Sequence, residues 1–286
     1  MRFGLNAEQL KEKAAVIRRD IITMLAEAKS GHSGGPLSVA DFGTALFFNE
    51  ADIDPEDPGW DGRDYIHFSI GHVTPVIYSL MAEAGYFPKK DLLKFRKIDG
   101  HLQGHPSKHE TRGIEVSAGS LGQGLSVAVG MALGIKLDNE DRRVYCIMGD
   151  GEQQEGQIWE AAMSASHYRL DNLLGIVDLN GLQIDGATRD IMNIDPLAEK
   201  YRSFGWHVIE IDGHDMNEIL SAFKEAREVK GKPTVIIAST VMGKGASLME
   251  NDHTWHGKPP TKEQAEMILE ELGTTYERWI EYLNAG

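Results

Sequence analysis

Val144-Tyr145-Cys146-Ile147-Met148 runs straight into Gly149-Asp150-Gly151, and a second apolar run, Leu173-Leu174-Gly175-Ile176-Val177-Asp178-Leu179, stops on Asn180. Between them Trp159, Ala162, Met163, Ser166 and His167 keep helical spacing. Two short apolar runs separated by a helix make a βαβ unit. Its parallel strands deliver both C-terminal loops to one edge of the sheet, where open α/β sheets bind ligands. The spacing therefore predicts that Asp150 and Asn180 stand side by side.

A Gly-rich strand-to-helix turn can cradle phosphate with its N–H groups. Asp150 and Glu152 would repel a phosphate unless a cation lay between them. Mg²⁺ fits, because it is satisfied by one carboxylate plus an amide or backbone carbonyl and completes its shell with phosphate oxygens and water. The same residues could instead form a tight turn, with Asp150 capping the next helix and Asn180-Gly181 making a second turn. Nicotinamide binding is disfavoured: Gly149-x-Gly151 has no third glycine three residues on and no acidic ribose partner about 20 residues later.

Composition sets the outer bounds. A chain of 286 residues with 41% hydrophobic content can bury about three quarters of its unfolded surface. The net charge of −15 argues against nucleic acid or an anionic membrane as the main partner. A locally basic cleft for an anionic substrate stays open. The single cysteine, Cys146, lies inside a predicted strand, implies no disulfide framework and fits a reducing compartment. No signal-peptide pattern begins the chain, and no apolar run approaches about 18 residues. The expectation is a cytoplasmic protein that forms one α/β domain over 1–286, with a mostly parallel central sheet and helices on both faces.

In chain order, Asn6-x-x-Gln9 reads as a capping box opening a helix to about Lys29. Gly31-His32-Ser33-Gly34-Gly35-Pro36 follows as a loop whose glycines imply unusual backbone angles or close ligand approach. A helix is expected over 38–48, and a strand over 64–69 reaches Ile70-Gly71-His72 before a helix over 74–84. His67 reads as a packed strand histidine. A short basic helix over 89–97 leads to Gly100-His101-Leu102-Gln103-Gly104-His105-Pro106, and His109 reads as solvent-exposed. Zinc is disfavoured by the lack of a cysteine ligand or a His-x₃-His pair. Gly119-Ser120-Leu121-Gly122-Gln123-Gly124 opens a helix over 125–137 that is apolar nearly all round, which predicts burial on all sides, in a core or against another subunit. Helices over 196–204 and 215–229 alternate with strands over 207–211 and 234–240. Met242-Gly243-Lys244-Gly245 lacks the spacing of a P-loop. Asp252-His253-Thr254-Trp255-His256-Gly257 is a further histidine loop, and helices over 261–272 and 274–283 end the chain.

Taken together, these motifs make the sequence resemble the thiamine diphosphate-binding N-terminal part of transketolase over essentially its whole length. The likeness rests on Gly149-Asp150-Gly151…Asn180, Ser30-Gly31-His32, Gly71-His72, Gly104-His105-Pro106, Gly119 to Gly124 and Trp255-His256-Gly257. It implies the thiamine diphosphate-binding fold, with Mg²⁺ or Ca²⁺ held by Asp150, Asn180 and the carbonyl of Leu182. It further implies cofactor contacts from His72, Gly119, Ser120, Leu121, Gly149, Gly151, Glu152 and His256. His32 and His256 would handle protons at the donor C3 hydroxyl and the acceptor aldehyde, and His105 would bond the transferred two-carbon unit. Glu155 would join a proton network across a subunit interface.

The implied reaction moves a glycolaldehyde unit from a ketose phosphate to an aldose phosphate, the cofactor supplying carbanion stabilisation. The family's pyrimidine-binding and C-terminal domains have no counterpart within these 286 residues. The expectation is therefore the N-terminal subunit of a two-chain transketolase, with a C-terminal partner chain and an α₂β₂ assembly. The alternatives are a split enzyme for a modified or sulfo-sugar, a 2-oxoacid dehydrogenase α-type subunit, or a non-catalytic regulatory subunit. Two positions depart from the family pattern. Gly181 follows Asn180 where a second asparagine is usual, and His101 stands where Ser or Arg is expected.

Overall fold

The strand 144–149 faces two cores at once. Val144, Cys146 and Met148 pack into one cluster and Tyr145 and Ile147 into another, each fully buried. That alternation is what a strand covered by helices on both faces requires. In the computed structural model, which describes residues 3–286, seven strands run in chain order: Tyr65–Phe68 (β1), Val144–Gly149 (β2), Leu173–Leu179 (β3), Leu182–Gln183 (β4), Gly186–Ala187 (β5), His207–Asp212 (β6) and Thr234–Ser239 (β7). Five form an all-parallel sheet in the order β1-β2-β3-β7-β6, and β4 and β5 form a small antiparallel ribbon. The predicted βαβ unit is present, with Val144 opposite Leu173 and Gly149 opposite Asp178.

The helices are Ala7–Ala28 (α1), Gly34–Ala45 (α2), Thr74–Ala84 (α3), Gln123–Leu137 (α4), Gly156–His167 (α5), Thr188–Ile191 (α6), Leu197–Ser203 (α7), Met216–Glu228 (α8), Lys262–Glu271 (α9) and Tyr276–Ala285 (α10). One sheet face carries α4, α5 and α7; the other carries α1, α2, α3, α8, α9 and α10. The capping box of α1 closes in both directions, with Gln9 N–H on Asn6 Oδ1 at 3.1 Å and Asn6 N–H on Gln9 Oε1 at 3.0 Å. His67 is packed as expected, 3% exposed within β1. The short basic segment 89–94 is a 3₁₀ turn, and its Lys89 pairs with Glu83 at 2.8 Å.

One expectation is corrected and another is divided. The helix foreseen over 38–48 begins at Gly34, so Gly34, Gly35 and Pro36 are its first turn and not loop. Proline is tolerated there because its missing N–H has no helical partner to lose. Glycine at 34 lets the helix lie against residue 242, since a Cβ would sit 2.6 Å from Met242 Cγ. The helix over 123–137 is buried along one stripe only: Leu125, Ala128, Val129, Ala132 and Ile135. Leu137 is 72% exposed, Met163 of α5 is 59% exposed, and Val127, Met131 and Leu133 are half-buried. Within the chain only that stripe is covered, so of the two expected forms of burial the core accounts for one side of α4, and the apolar side chains on the rest of α4 and on α5 are left for the other, a neighbouring subunit.

Candidate active site

The C-terminal ends of β1, β2, β3 and β7 meet at one edge of the sheet. Asp150, 3% exposed, links two of them: its Oδ1 accepts from Gly151 N–H at 2.7 Å and its Oδ2 from Gly181 N–H at 2.6 Å, with Thr188 Oγ1 at 3.3 Å. Asp150 and Asn180 thus stand together. Behind them lies Asp178, 2% exposed, which sequence reasoning treated only as part of a strand. Asp178 accepts from Ser38 Oγ at 2.6 Å, from Thr240 Oγ1 and from Asn180 Nδ2 at 2.9 Å. That last bond fixes which way the Asn180 amide faces, leaving Oδ1 to accept from Leu182 N–H at 3.0 Å.

Burial first, and the Asp178 carboxylate second, push the Asp150 carboxyl up to about 7. Two buried carboxyls, with no cationic side chain among the described residues bonded to either, make a corner that a hard cation would relieve. The oxygens of Asp150, Asn180 and the Leu182 carbonyl could hold one. Among the described residues no group of three or more His, Cys, Asp and Glu could hold a metal. The Asp150 corner contains one such ligand, the rest being amide and carbonyl oxygens.

Glu152, 2% exposed, ties three segments into one wall. Its Oε1 accepts from Ser69 Oγ and from Gly122 N–H at 2.7 Å, and its Oε2 from Gly149 N–H at 3.1 Å. Ser69 Oγ in turn accepts from Gly124 N–H at 3.1 Å. The ends of β1 and β2 and the 119–124 loop are therefore joined through one carboxylate. Gly71 lets the β1 end approach that loop, since a Cβ would lie 2.8 Å from the Ala118 carbonyl carbon.

Three histidines from three distant loops form a cluster. Ring centroids are 5.1 Å apart for His32 and His72, 5.1 Å for His72 and His256, and 5.7 Å for His32 and His256. Ser33 Oγ holds the first loop to the last by donating to the carbonyls of Trp255 at 3.2 Å and Lys258 at 2.6 Å. The Nδ1 atoms of His32 and His256 are buried without a hydrogen-bond partner. Burial foremost, with the His256 ring next, holds His32 down to about 4 and His72 to about 3. Burial also lowers His256, and burial followed by the Arg96 charge lowers His105. At neutral pH these imidazoles are uncharged, each able to donate from one nitrogen and accept at the other.

This has a consequence for stability. His32, His72 and His67, the last held to about 4 by burial, take up protons near 6.5 in ordinary surroundings but only at about 4 or below in the fold. Between those values the unfolded chain binds more protons at these three rings, so their contribution to stability falls as pH drops from about 6.5 toward about 4, opposed by buried carboxyls such as Asp150 that are raised. Across that window the urea midpoint of wild type is expected to fall relative to that of His67→Gln. A His67→Gln limb as steep as that of the wild type would contradict the assignment.

A cleft of about 450 Å³ brings together His32, His72, His105, His256, Gly119, Leu121, Gly149, Asp150, Gly151, Glu152, Glu155, Asn180 and Leu182. Ser120 is exposed on the same loop but is not part of the cleft lining. His101 turns away to Asp91 at 3.3 Å and to the edge of Phe87, lining a separate open groove that shares His105 with the cleft. Beyond the expected residues the cleft adds Asp178, Gln154, Gln183, Ile184 and Asp185, with Gly35, Ile70 and Val73 completing its lining. Residues 183–185 enter through the β4–β5 ribbon, whose only sequence signal was Asp185-Gly186 beside Asn180-Gly181.

Residues 10–281 match the family described as transketolase, thiamine diphosphate binding domain. The chain is 43% identical over 263 residues to the 6-deoxy-6-sulfo-D-fructose transketolase subunit SqwG of Clostridium sp. strain MSTE9, covering 92% of this chain and 96% of that one. It is 41% identical over 271 residues to an apulose-4-phosphate transketolase subunit of Actinobacillus succinogenes, covering 94% and 98%. The solved transketolase of Campylobacter jejuni superposes with a TM-score of 0.90 at 33% identity, over 98% of this chain and 46% of that one. The chain thus spans about half the length of the solved enzyme.

Proposed function

We propose, because the chain belongs to the transketolase family, that it is the thiamine diphosphate-binding subunit of a two-chain transketolase moving a glycolaldehyde unit from a ketose to an aldose. The observation that carries this is the meeting of three neutral histidines over the Asp150–Asn180 corner in a single cleft. Asp150, Asn180 and the Leu182 carbonyl would hold Mg²⁺ or Ca²⁺ for the diphosphate, and Gly151 would let the backbone approach it. Gly119 and Leu121, which line the cleft, would contact its ring system. When bound, thiamine diphosphate supplies carbanion stabilisation at the donor's carbonyl carbon. His32 and His256, uncharged with unpartnered Nδ1 atoms, take and return protons at the donor C3 hydroxyl and the acceptor aldehyde. His105 bonds the transferred unit, and Glu155 faces the partner's side of the cleft.

The partner is a chain carrying the pyrimidine-binding and C-terminal domains, in a cytoplasmic α₂β₂ assembly. Support comes from the naming of both relatives as subunits and from the uncovered apolar side chains of α4 and α5. Those relatives are named for 6-deoxy-6-sulfo-D-fructose and apulose 4-phosphate, so modified ketoses belong beside common sugar phosphates among the donors. Mixing the chain and its partner with thiamine diphosphate, Mg²⁺, xylulose 5-phosphate and ribose 5-phosphate is expected to yield sedoheptulose 7-phosphate and glyceraldehyde 3-phosphate. The panel includes both modified ketoses and, for a 2-oxoacid dehydrogenase-type activity, pyruvate. Absence of product from every ketose overturns the proposal.

A further inference from the structure

Loop 240–257 ends on His256 and is laced to both halves of the site. Thr240 N–H donates to Leu179 O at 3.1 Å and its hydroxyl to Asp178; Gly243 N–H donates to Gly34 O at 3.0 Å. The start of this loop is anchored from outside the cleft. His214, in the turn between β6 and α8, accepts the Val241 N–H at Nε2, 2.8 Å away. An accepting Nε2 carries no proton, so the proton of a neutral ring is on Nδ1. Nδ1 lies 2.7 Å from Asp41 Oδ2 and donates to it.

Asp41 is itself gripped by Arg18 through bonds of 3.0 and 2.6 Å, and Arg18 Nε returns to the same loop at Lys244 O, 2.9 Å away. Arg18 and Asp41 are 8% and 7% exposed, so this charge pair is shielded from solvent screening. The turn lies flush against the loop, since a Cβ at Gly213 would sit 2.5 Å from Thr240 Cγ2.

We propose that His214, locked by Asp41 as the Nδ1–H tautomer, is a positioning residue that holds loop 240–257, and through it His256 and the Asp178–Asn180 corner, in register. Its effect on turnover rests on the transketolase reading; its effect on the loop does not. His214 is not among the residues lining the cleft; its hold on the loop passes through the Val241 backbone and Thr240, beside a direct electrostatic effect of its charged form on Asp178.

Two substitutions separate the two ring nitrogens. His214→Asn keeps a donor near Asp41 and removes the acceptor for Val241, whereas His214→Gln places an acceptor near the Nε2 position. In the full chain, hydrogen exchange of the Val241 amide is expected to quicken about tenfold in His214→Asn and to return to within about threefold of wild type in His214→Gln, the scale of one hydrogen bond. Histidine-selective ¹⁵N NMR of the full chain is expected to show the neutral Nδ1–H form. In the reconstituted complex at saturating cofactor, kcat is expected to fall in His214→Asn and to recover toward wild type in His214→Gln. An Nε2–H tautomer, unchanged exchange in His214→Asn, or equal loss in both variants overturns the inference. A wild-type complex that turns over no ketose sinks the transketolase reading, and the tautomer and exchange results still decide the role of His214.

Discussion

Asp150→Asn is expected to abolish Mg²⁺-dependent thiamine diphosphate binding while making the cofactor-free chain harder to unfold above pH 7. The first effect follows from donor chemistry. An amide has one acceptor oxygen and no charge; that oxygen serves one of the Gly151 and Gly181 N–H groups, which now donate to separate carboxylate oxygens, and the amide NH₂ meets the other. Cofactor affinity in the reconstituted complex, measured by calorimetry with Mg²⁺, is expected to fall more than about 100-fold, beyond the effect of losing an outer-shell partner.

The second effect has the opposite sign. The folded Asp150 carboxyl is raised from 3.8 to about 7, so the folded chain binds more protons than the unfolded chain between those values. Stability is therefore lost as pH rises through that window, and above pH 7 the full penalty applies, with a ceiling of about 4 kcal/mol from a shift of about three units. Asparagine removes it but turns its NH₂ toward one of the two N–H donors, which costs about 1–3 kcal/mol, so the net gain lies below that ceiling. Asp150→Asn should therefore unfold at higher urea than wild type at pH 8 without cofactor, with the gap closing toward pH 4. A variant that loses both cofactor affinity and cofactor-free stability at pH 8 would mean that Asp150 acts as a turn residue, the alternative its position beside Gly151 always allowed.

That alternative shows where sequence stopped short. The βαβ unit, the parallel edge and the pairing of Asp150 with Asn180 were legible because strand and helix periods are local and parallel strands end together. The four histidine loops were legible as motifs. Their convergence was not, because what places His32, His72 and His256 within 6 Å of one another is backbone approach between distant segments, such as Ser33 to Lys258. Asp178 was hidden for the opposite reason. A carboxylate in the middle of an apolar run reads as strand until its three donors, from positions 38, 180 and 240, are seen together. For α4 the apolar composition left two forms of burial open, core or subunit contact, because composition cannot say which apolar residues await a partner.

Glu152→Ala is expected to be the most damaging change to the fold of the site, and it separates two readings of that residue. If Glu152 served the cofactor directly, its loss would leave the cofactor-free chain intact. The geometry commits both of its oxygens to Ser69, Gly122 and Gly149 instead. Burial first raises its carboxyl, against the lowering effect of these bonds, so the group is held in place by donors and not by water. Alanine would leave a buried hydroxyl and two buried N–H groups without an acceptor and open a cavity, a loss of about 3–5 kcal/mol. Glutamine would lose less, since one oxygen survives while an NH₂ must face a donor. The expected order of cofactor-free urea midpoints is therefore wild type, Glu152→Gln, Glu152→Ala. Hydrogen exchange in the alanine variant should quicken first at Gly122 and Gly124, because the 119–124 loop has no other side-chain tether to β2. A cofactor-free midpoint unchanged by Glu152→Ala would return the residue to the cofactor and remove it from the wall.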